Sequence, residues 1–303
     1  MTRFVLDKSS CLRYRGSAMP KTTLILKIGG SIVTEKYRST PAIRRQLVIQ
    51  IGKVIKRFYK PSKHQLILIH GAGSFGHISA KKFGLTHGTR DSLKKLPAAL
   101  ANKTLDQHLN VTLAHLFQSV GLPVTGINTS SSVLNRAGKL HTIFTEHLNA
   151  ALRIGAIPLL HGDMVFDQVW GMSICSGDVL LPELAKHFRS ERVFYASDVD
   201  GIFTSDPFRN PDATLIREIS LADLLSPKIR LSTSHHTDVT AGFSGKFSPY
   251  KSAKLPALEI ISVFNGLIPK NYTAVFHSKK NTGTTIHVKK VGGRTHQPPS
   301  QSA

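Results

Sequence analysis

The feature that most constrains this chain is an alternation of short apolar runs with longer helix-like stretches. Five runs, rich in leucine or in β-branched residues, have the length and composition of buried strands. They cover residues 23–28, 66–70, 123–127, 157–161 and 192–197. Helical patterns lie between them, the clearest at residues 42–58, where apolar side chains return every three or four positions. The alternation predicts an α/β fold with a parallel sheet.

Composition narrows the class of protein further. The 303 residues carry 40 Lys and Arg against 18 Asp and Glu, a net charge of +22 that suits nucleic acid, anionic lipid or phosphorylated small molecules. A hydrophobic content of 41% argues against general disorder, and no apolar run approaches the roughly 18 residues of a membrane-spanning helix. Two cysteines, Cys11 and Cys175, argue against a disulfide framework and favour a cytoplasmic protein.

Both ends of the chain differ from its body. Residues 1–18 are basic and lack the long apolar segment of a secretory signal, so we expect a disordered extension ahead of a natural start at Met19. An organelle transit peptide is the alternative, because arginines and serines are interspersed there. Residues 291–303 are rich in Pro, Ser and Gln and are predicted to be disordered.

Ligands of parallel sheets bind at the carboxyl ends of strands, so the residues that follow each run are the candidates for a site. After the first run, Lys27 precedes the pair Gly29-Gly30 and Ser31. Paired glycines expose backbone N–H groups, and a lysine supplies a point charge suited to phosphate. By itself this motif is equally typical of a plain Gly-Gly turn.

The second run ends in a glycine-rich loop, Gly71-x-Gly73-x-x-Gly76, followed by His77. The spacing formally matches a dinucleotide-binding fingerprint, but no acidic residue ends a following strand about 20 residues on. No Gly-Lys-Ser/Thr follows either, which excludes a Walker A loop. The loop is therefore interpreted as an anion-binding turn, with His77 able to donate a hydrogen bond to a phosphate oxygen.

Later motifs supply carboxylates and a second lysine. Asp163 follows the fourth run, and Asp178 opens a helix, either as an N-terminal cap or as a partner for lysines. Ser-Asp-Val-Asp-Gly (197–201) is typical of a turn, a metal site or a nucleotide site. A second glycine-containing loop begins at residue 238 and ends in Lys246.

The order of these motifs, from about residue 21 to 290, resembles the amino acid kinase superfamily, and His77 makes the chain most similar to its isopentenyl phosphate kinases. The resemblance implies a three-layer αβα sandwich with a mainly parallel central sheet, the amino acid kinase fold. It implies one domain, 19–290, with an acceptor lobe at about 19–165 and an ATP lobe at about 166–290. It also implies ATP and Mg²⁺, a homodimer, and conversion of isopentenyl phosphate to isopentenyl diphosphate.

The same resemblance assigns roles to individual residues. The residues expected to act in catalysis are Lys27, Lys36, His77 and Asp163, with Asp163 organising the lysines. The acceptor is expected to contact Gly71, Gly76, His77 and Gly177. ATP is expected to contact Lys27, Gly29, Gly30, Ser31, Ala72, Asp198, Asp200, Gly201, Gly242 and Lys246. No residue is assigned as a metal ligand.

The chain departs from the family pattern at its glycine loops. Ala72 replaces a glycine, a small change if that position needs no positive φ. Ala241 and Phe243 replace a glycine and a methionine, and Pro249 is tolerable only in the first turn of a helix. Two alternatives stay open: a related kinase acting on another phosphate or phosphonate such as fosfomycin, and a basic nucleic-acid-binding protein, against which the absence of a known binding motif argues.

Overall fold

The computed structural model describes residues 21–35, 40–205, 207, 210–226, 242–277 and 282–288. The predicted extension 1–18 and tail 291–303 lie outside these residues. The strands are β1 (Thr22–Ile28), β2 (His64–His70), β3 (Val124–Gly126), β4 (Val133–Arg136), β5 (Lys139–Ile143), β6 (Ile157–His161), β7 (Asp163–Asp167), β8 (Gly171–Cys175), β9 (Arg192–Ser197), β10 (Ile202–Phe203), β11 (Leu215–Ile216), β12 (Glu218–Ser220), β13 (Ile260–Asn265) and β14 (Thr284–His287).

The α-helices of the described residues are α1 (Gly30–Val33), α2 (Arg45–Phe58), α3 (Gly73–Lys82), α4 (Leu96–Ser119), α5 (Glu146–Arg153), α6 (Gly177–His187), α7 (Leu221–Leu224) and α8 (Gly242–Phe247). Short 3₁₀ helices cover Leu85–His87, Leu93–Lys95, Thr129–Ser131, Ser248–Lys251 and Pro269–Val275. No helix in this part of the chain is both long enough and apolar enough to cross a membrane.

The main sheet has the strand order β12-β14-β13-β9-β1-β2-β6-β3. Six consecutive strands, β13, β9, β1, β2, β6 and β3, are parallel, and β14 pairs antiparallel with β13. The mainly parallel α/β sheet predicted from the sequence is therefore confirmed. The adjacent parallel strands β9, β1, β2 and β6 end beside one another, so the residues that follow them meet along one edge.

Both faces of the sheet are covered by helices, which explains why the strands read as continuous apolar runs. Alternate residues of β1 enter different cores: Leu24 and Leu26 pack with α2 and α4, whereas Ile25 packs with α5 and α6. Full burial of each such side chain contributes about 1.5–3 kcal/mol. The layers are thus helix, sheet and helix, as expected for an αβα sandwich.

A second sheet, ordered β5-β4-β7-β8, follows the end of β6. Asp167 joins its two hairpins, because its carboxylate accepts hydrogen bonds from the backbone N–H groups of Ala137 and Gly138 in one turn and of Val169 and Trp170 in the other. The turn at Gly138 also packs on Trp170, which leaves no room for a side chain at residue 138. One buried carboxylate therefore sets the relative position of the two hairpins.

Candidate active site

Two glycine turns come into backbone contact at the carboxyl ends of β1 and β2. A Cβ atom on Gly30 would lie 2.4 Å from the Gly73 nitrogen, and one on Gly71 would lie 2.6 Å from the Gly30 nitrogen. Gly73 has φ +55°, a left-handed conformation that favours glycine. By contrast Ala72 has φ −64°, so the replacement of a family glycine by alanine at this position introduces no strain.

Thr34 fastens the two turns together. Its hydroxyl donates to the Gly30 carbonyl at 2.8 Å and accepts from the Ser74 backbone N–H at 3.0 Å. The side chain is fully buried, at 0% exposure. The sequence does not reveal this role, because the position of Thr34 between the turns is visible only once β1 and β2 are neighbours.

Lys27 and Asp178 form the first ion pair of the site. The Lys27 ammonium group donates to Asp178 Oδ1, and the two side chains are 10% and 9% exposed. The ammonium also lies 5.6 Å from the centre of the Tyr195 ring. Of the two interpretations of Asp178, partner of a lysine or cap of α6, this contact supports the lysine partner. Ser176, the N-cap residue of α6, makes no side-chain capping hydrogen bond.

Asp163 is paired with a different lysine, which sequence reasoning missed. Lys103 of α4 approaches Asp163 Oδ2 at 3.4 Å, and Asp163 also accepts from the Ser130 backbone N–H at 3.1 Å. Lys103 donates further to the side chains of Ser130 and Asn128. The second carboxylate oxygen of Asp163 is buried without a hydrogen-bond partner among the described residues. Nothing in the sequence pattern of α4 distinguishes Lys103 from the exposed lysines.

The two ion pairs lie close together along the edge of the sheet. Lys27 belongs to β1, and Asp163 follows β6, which is two strands away across β2. Two inter-strand spacings amount to about 10 Å. Gly162 and Gly177 lie between the pairs, where a Cβ on Gly177 would be 3.3 Å from Lys27 Cε and one on Gly162 would be 3.3 Å from the Gly177 nitrogen.

His77 lies on α3, in the second turn of the helix. The helix begins at Gly73, so His77 is its fifth residue and opens its second turn. The side chain is exposed and lines a shallow pocket with Ile78, Lys81 and Lys82. Three basic or titratable side chains thus surround one open pocket beside the glycine loop, a setting that suits an anion.

The predicted nucleotide side lies after β9. Asp200 accepts a hydrogen bond from Asn265 at 2.9 Å, and Gly201 is packed so closely on Thr284 that a Cβ would lie 2.6 Å from its hydroxyl. Gly29 donates its N–H to the Ala196 carbonyl at 2.9 Å, which joins the end of β1 to the end of β9. Asp198 follows the same strand.

Lys246 lies on α8, directly before an aromatic anchor. Phe247 is fully buried and packs on Tyr195, with the ring centres 5.2 Å apart. Tyr195 in turn donates a hydrogen bond to the Tyr250 hydroxyl at 3.1 Å. Helix α8 ends at Phe247, and Pro249 falls in the first turn of the next 3₁₀ helix. The proline is therefore accommodated in the way its chemistry allows.

Some predicted site residues cannot be placed. Lys36 and Ala241 lie outside the described residues, and Gly242 is placed as the first residue of α8. Ser31 belongs to α1, and Gly76 is buried within α3. The structure thus brings together Lys27, the glycine turns, Gly177 and Asp163 at one edge of the sheet.

Comparisons of sequence and structure relate this chain to known kinases. The sequence model of the amino acid kinase family matches residues 22–250. The chain is 29% identical over 269 residues to an isopentenyl phosphate kinase of Methanothermobacter thermautotrophicus, covering 87% of this chain and 98% of that protein. It is 30% identical over 247 residues to an isopentenyl phosphate kinase of Methanocaldococcus jannaschii, covering 80% and 90%. A crystal structure of isopentenyl phosphate kinase superposes with a TM-score of 0.72 at 25% identity, covering 87% of this chain and all of that one (100%).

Proposed function

This chain belongs to the amino acid kinase family, and we propose that it transfers the terminal phosphoryl group of ATP to isopentenyl phosphate, giving isopentenyl diphosphate and ADP. The observation that carries the proposal is the Lys27–Asp178 pair beside the two contacting glycine turns. A buried lysine held by a carboxylate, next to turns rich in backbone N–H groups, suits a pair of phosphates. The isopentenyl phosphate kinases among its relatives support this choice of acceptor.

Charge repulsion is the main obstacle in such a reaction, because donor and acceptor are both phosphates. Two like unit charges 4 Å apart repel by about 4 kcal/mol at an effective dielectric constant near 20. Lys27, Lys36 and Lys246 would offset this repulsion, and Asp178 would hold Lys27 in place. The backbone N–H groups of the glycine turns would add uncharged donors. Positioning and electrostatic stabilisation are the protein's contribution to phosphoryl transfer.

A general base is unnecessary, because the acceptor phosphate oxygen is already ionised near neutral pH. His77 then acts as a hydrogen-bond donor that positions the acceptor phosphate, and Gly71, Gly76 and Gly177 contact the same group. Asp163 contributes through Lys103, its partner in the structure. Asp198, Asp200, Gly201 and Gly242 line the ATP side of the site.

Mg²⁺ is part of the proposal as a companion of ATP. The described residues contain no group of three or more His, Cys, Asp or Glu side chains able to hold a metal ion. In kinases Mg²⁺ is commonly bound by phosphate and water oxygens together with one or two carboxylates at most. An ion bound with ATP would supply neutralisation of the phosphate charge.

The test is a coupled assay of ADP release with four acceptors: isopentenyl phosphate, dimethylallyl phosphate, fosfomycin and N-acetylglutamate. We expect the highest kcat/KM with isopentenyl phosphate. Faster turnover of fosfomycin would favour the related-kinase alternative, and turnover of none, together with salt-dependent binding to nucleic acid, would favour the nucleic-acid alternative. No observation on the described residues favours either of these.

Assembly and location complete the proposal. A homodimer is supported by exposed apolar side chains along α4, where Leu100 and Val111 are 42% and 57% exposed. Light scattering on the purified protein, with Val111→Glu as the disrupting variant, tests it. A cytoplasmic location is supported by the low cysteine content, two residues in 303.

A further inference from the structure

We propose that a buried polar stripe on α4, formed by Asn102, Asp106 and Asn110, positions the glycine loop and so controls binding of the acceptor phosphate. The inference rests on the proposed function, which it deepens by naming positioning residues. The three residues are spaced four apart and therefore share one face of the helix. Their exposed fractions are 3%, 2% and 3%. Polar groups this deeply buried are costly unless their hydrogen bonds are made.

Asn102 holds the first turns of α3, where the glycine-rich segment ends and His77 follows. Its side-chain N–H group donates to the Gly76 carbonyl at 2.8 Å and to the Ser79 hydroxyl at 2.5 Å. The Gly76 carbonyl and the His77 nitrogen belong to one planar peptide group. A hydrogen bond to that carbonyl therefore helps to fix the plane of the peptide group from which His77 extends.

Asn110 fixes the beginning of the loop through His70. The side-chain amide of Asn110 donates to His70 Nε2 at 3.2 Å and to the Leu159 carbonyl at 2.9 Å. The other ring nitrogen of His70 lies 3.0 Å from the Gly71 carbonyl, which can only accept, so Nδ1 carries the proton. Burial lowers the pKa of His70 to about 3, which keeps the ring neutral and able to accept from Asn110.

This contact orients a donor of the predicted ATP site. The Gly71 carbonyl and the Ala72 N–H lie in one trans peptide plane and point in opposite directions. With the carbonyl held toward His70, the Ala72 N–H is directed away from His70. The stripe thus determines two peptide planes of the same loop, one at each end.

Asp106 fills the space between the two asparagines. A Cβ on Gly76 would lie 2.7 Å from Asp106 Oδ1, so the carboxyl fits under the loop because residue 76 is glycine. Burial raises the pKa of Asp106, the Asp163 carboxylate raises it further and Lys103 opposes both. The raised pKa favours the neutral form of this carboxyl, which does not repel an anion bound above the loop.

The variant Asn102→Leu tests the proposal, because it keeps the branched shape of the side chain and removes both hydrogen bonds. We expect the KM for isopentenyl phosphate to rise about tenfold, the factor of one lost hydrogen bond, with the KM for ATP changed less than about twofold. The matched control is Gln118→Met, which removes a side-chain hydrogen bond to the Val124 carbonyl from the far end of α4. It should lower thermal stability less than Asn102→Leu, because Gln118 is exposed, and leave both KM values unchanged.

Ser79→Ala is a milder second variant, useful if Asn102→Leu does not fold. The Ser79 hydroxyl bridges Asn102 and the Gly76 carbonyl, which it approaches at 3.2 Å. We expect the same selective rise in the acceptor KM, at about threefold. Equal changes in the KM values for both substrates, or no change in either variant, would overturn the proposal.

Calorimetric binding of inorganic phosphate to the full-length protein separates this inference from the proposed function. Weaker binding in Asn102→Leu but not in Gln118→Met supports the role of the stripe even if isopentenyl phosphate proves not to be the acceptor. Equal phosphate binding by all three proteins contradicts the role of the stripe even if the kinase activity is confirmed.

Discussion

Lys27 and His77 differ sharply in environment, although both are expected to contact phosphate. Lys27 is buried between Asp178 and the Tyr195 ring, whereas His77 is exposed at the rim of an open pocket. A buried, oriented cation is suited to charge that develops during transfer. An exposed donor is suited to capturing a substrate from solution. The two residues should therefore affect different kinetic constants.

Replacement of Lys27 by methionine should lower kcat by about 10²–10³-fold, with smaller changes in either KM. The physical reason is loss of a positive charge next to the transferring group. The measurement is steady-state kinetics with both substrates varied. Lys103→Met is the matched control, because it also removes the lysine partner of a buried carboxylate. Its kcat should be at least about tenfold higher than that of Lys27→Met. Unchanged kcat in Lys27→Met would remove Lys27 from the transfer step.

Replacement of His77 by alanine should raise the KM for isopentenyl phosphate about tenfold or more and change the KM for ATP little, since one charge-assisted hydrogen bond to the acceptor is lost. Initial-rate measurements with each substrate varied in turn provide the test. His108→Ala, on α4, is a control that removes a histidine from outside the pocket. Equal effects of His77→Ala on both KM values would contradict the assignment.

Asp106 should make the wild-type protein less stable as pH rises. Burial raises its pKa in the folded state above the value of 3.8 in the unfolded chain. The folded protein therefore holds a proton that the unfolded chain releases, and stability present below about pH 4 is lost as pH rises toward the folded pKa. The variant Asp106→Asn has no titratable group at this position, so it should not lose stability in this way as pH rises.

Urea unfolding between pH 4 and 8 measures the effect. The free energy of unfolding of Asp106→Asn, relative to that of the wild type, should increase as pH rises through this range. Asp212→Asn, at an exposed position, should keep a constant difference from the wild type. A constant difference for Asp106→Asn as well would mean that Asp106 is ionised in the folded protein.

Motifs at strand ends led to Lys27, Asp178 and the glycine turns, because the edge of a parallel sheet is predictable from the apolar runs. The roles assigned to these residues stay predictions. Asn102 and Lys103 could not be found in this way. They lie in the middle of a long helix, and their partners, Gly76 and Asp163, become neighbours only when α4 packs across the ends of β2 and β6.

Elements were predicted well where both faces of the sheet are buried. The runs 157–161 and 192–197 coincide with β6 and β9, and the run 23–28 with all but the first residue of β1. Boundaries at glycines were less predictable. Helix α3 begins at Gly73, inside the stretch that the sequence analysis interpreted as a glycine loop. Gly73 adopts the left-handed conformation, and from this turn the chain enters the helix. The apolar pattern of that stretch is too weak to reveal the start.

Asp167 offers a test at the scale of the hairpins. Burial raises its pKa, but hydrogen bonds from Trp170, Gly138 and Val169 outweigh burial and lower it to about 2. Asp167→Asn replaces one acceptor oxygen with a donor that faces backbone N–H groups. We expect a loss of about 1–3 kcal/mol in the free energy of unfolding at pH 7.

The sign of the pH dependence follows from the lowered pKa. The ionised carboxylate stabilises the folded protein above about pH 4, and this contribution is lost as pH falls toward 2. The difference between wild type and Asp167→Asn, measured by urea unfolding, should therefore shrink on acidification. Asp91→Asn, at an exposed ion pair with Arg90, should have little effect at either pH. A difference for Asp167→Asn that is independent of pH would contradict the role of the carboxylate charge.

At the scale of the whole molecule, the net charge of +22 far exceeds what the candidate site uses. The site accounts for a few lysines, among them Lys27, Lys103 and Lys246. Most of the other lysines and arginines that the structure describes are exposed, and their effect on anionic substrates depends on position. Lys81 and Lys82 line the pocket beside His77. Lys56 lies beside Gly121 at the opposite edge of the sheet, next to the loop that precedes β3.

Two double variants with the same loss of charge separate local steering from net charge. Lys81→Gln/Lys82→Gln should lower kcat/KM for the acceptor severalfold at low salt and weaken its dependence on ionic strength, while kcat changes little. Lys53→Gln/Lys56→Gln, on α2, removes two charges from the far edge and should leave the acceptor kcat/KM close to that of the wild type. The measurement is kcat/KM between about 20 and 500 mM salt, a range over which the screening length falls several-fold. If both double variants change the acceptor kcat/KM and its salt dependence equally, steering is due to the total charge of the protein. If only Lys81→Gln/Lys82→Gln changes them, steering is due to the pocket beside the glycine loop.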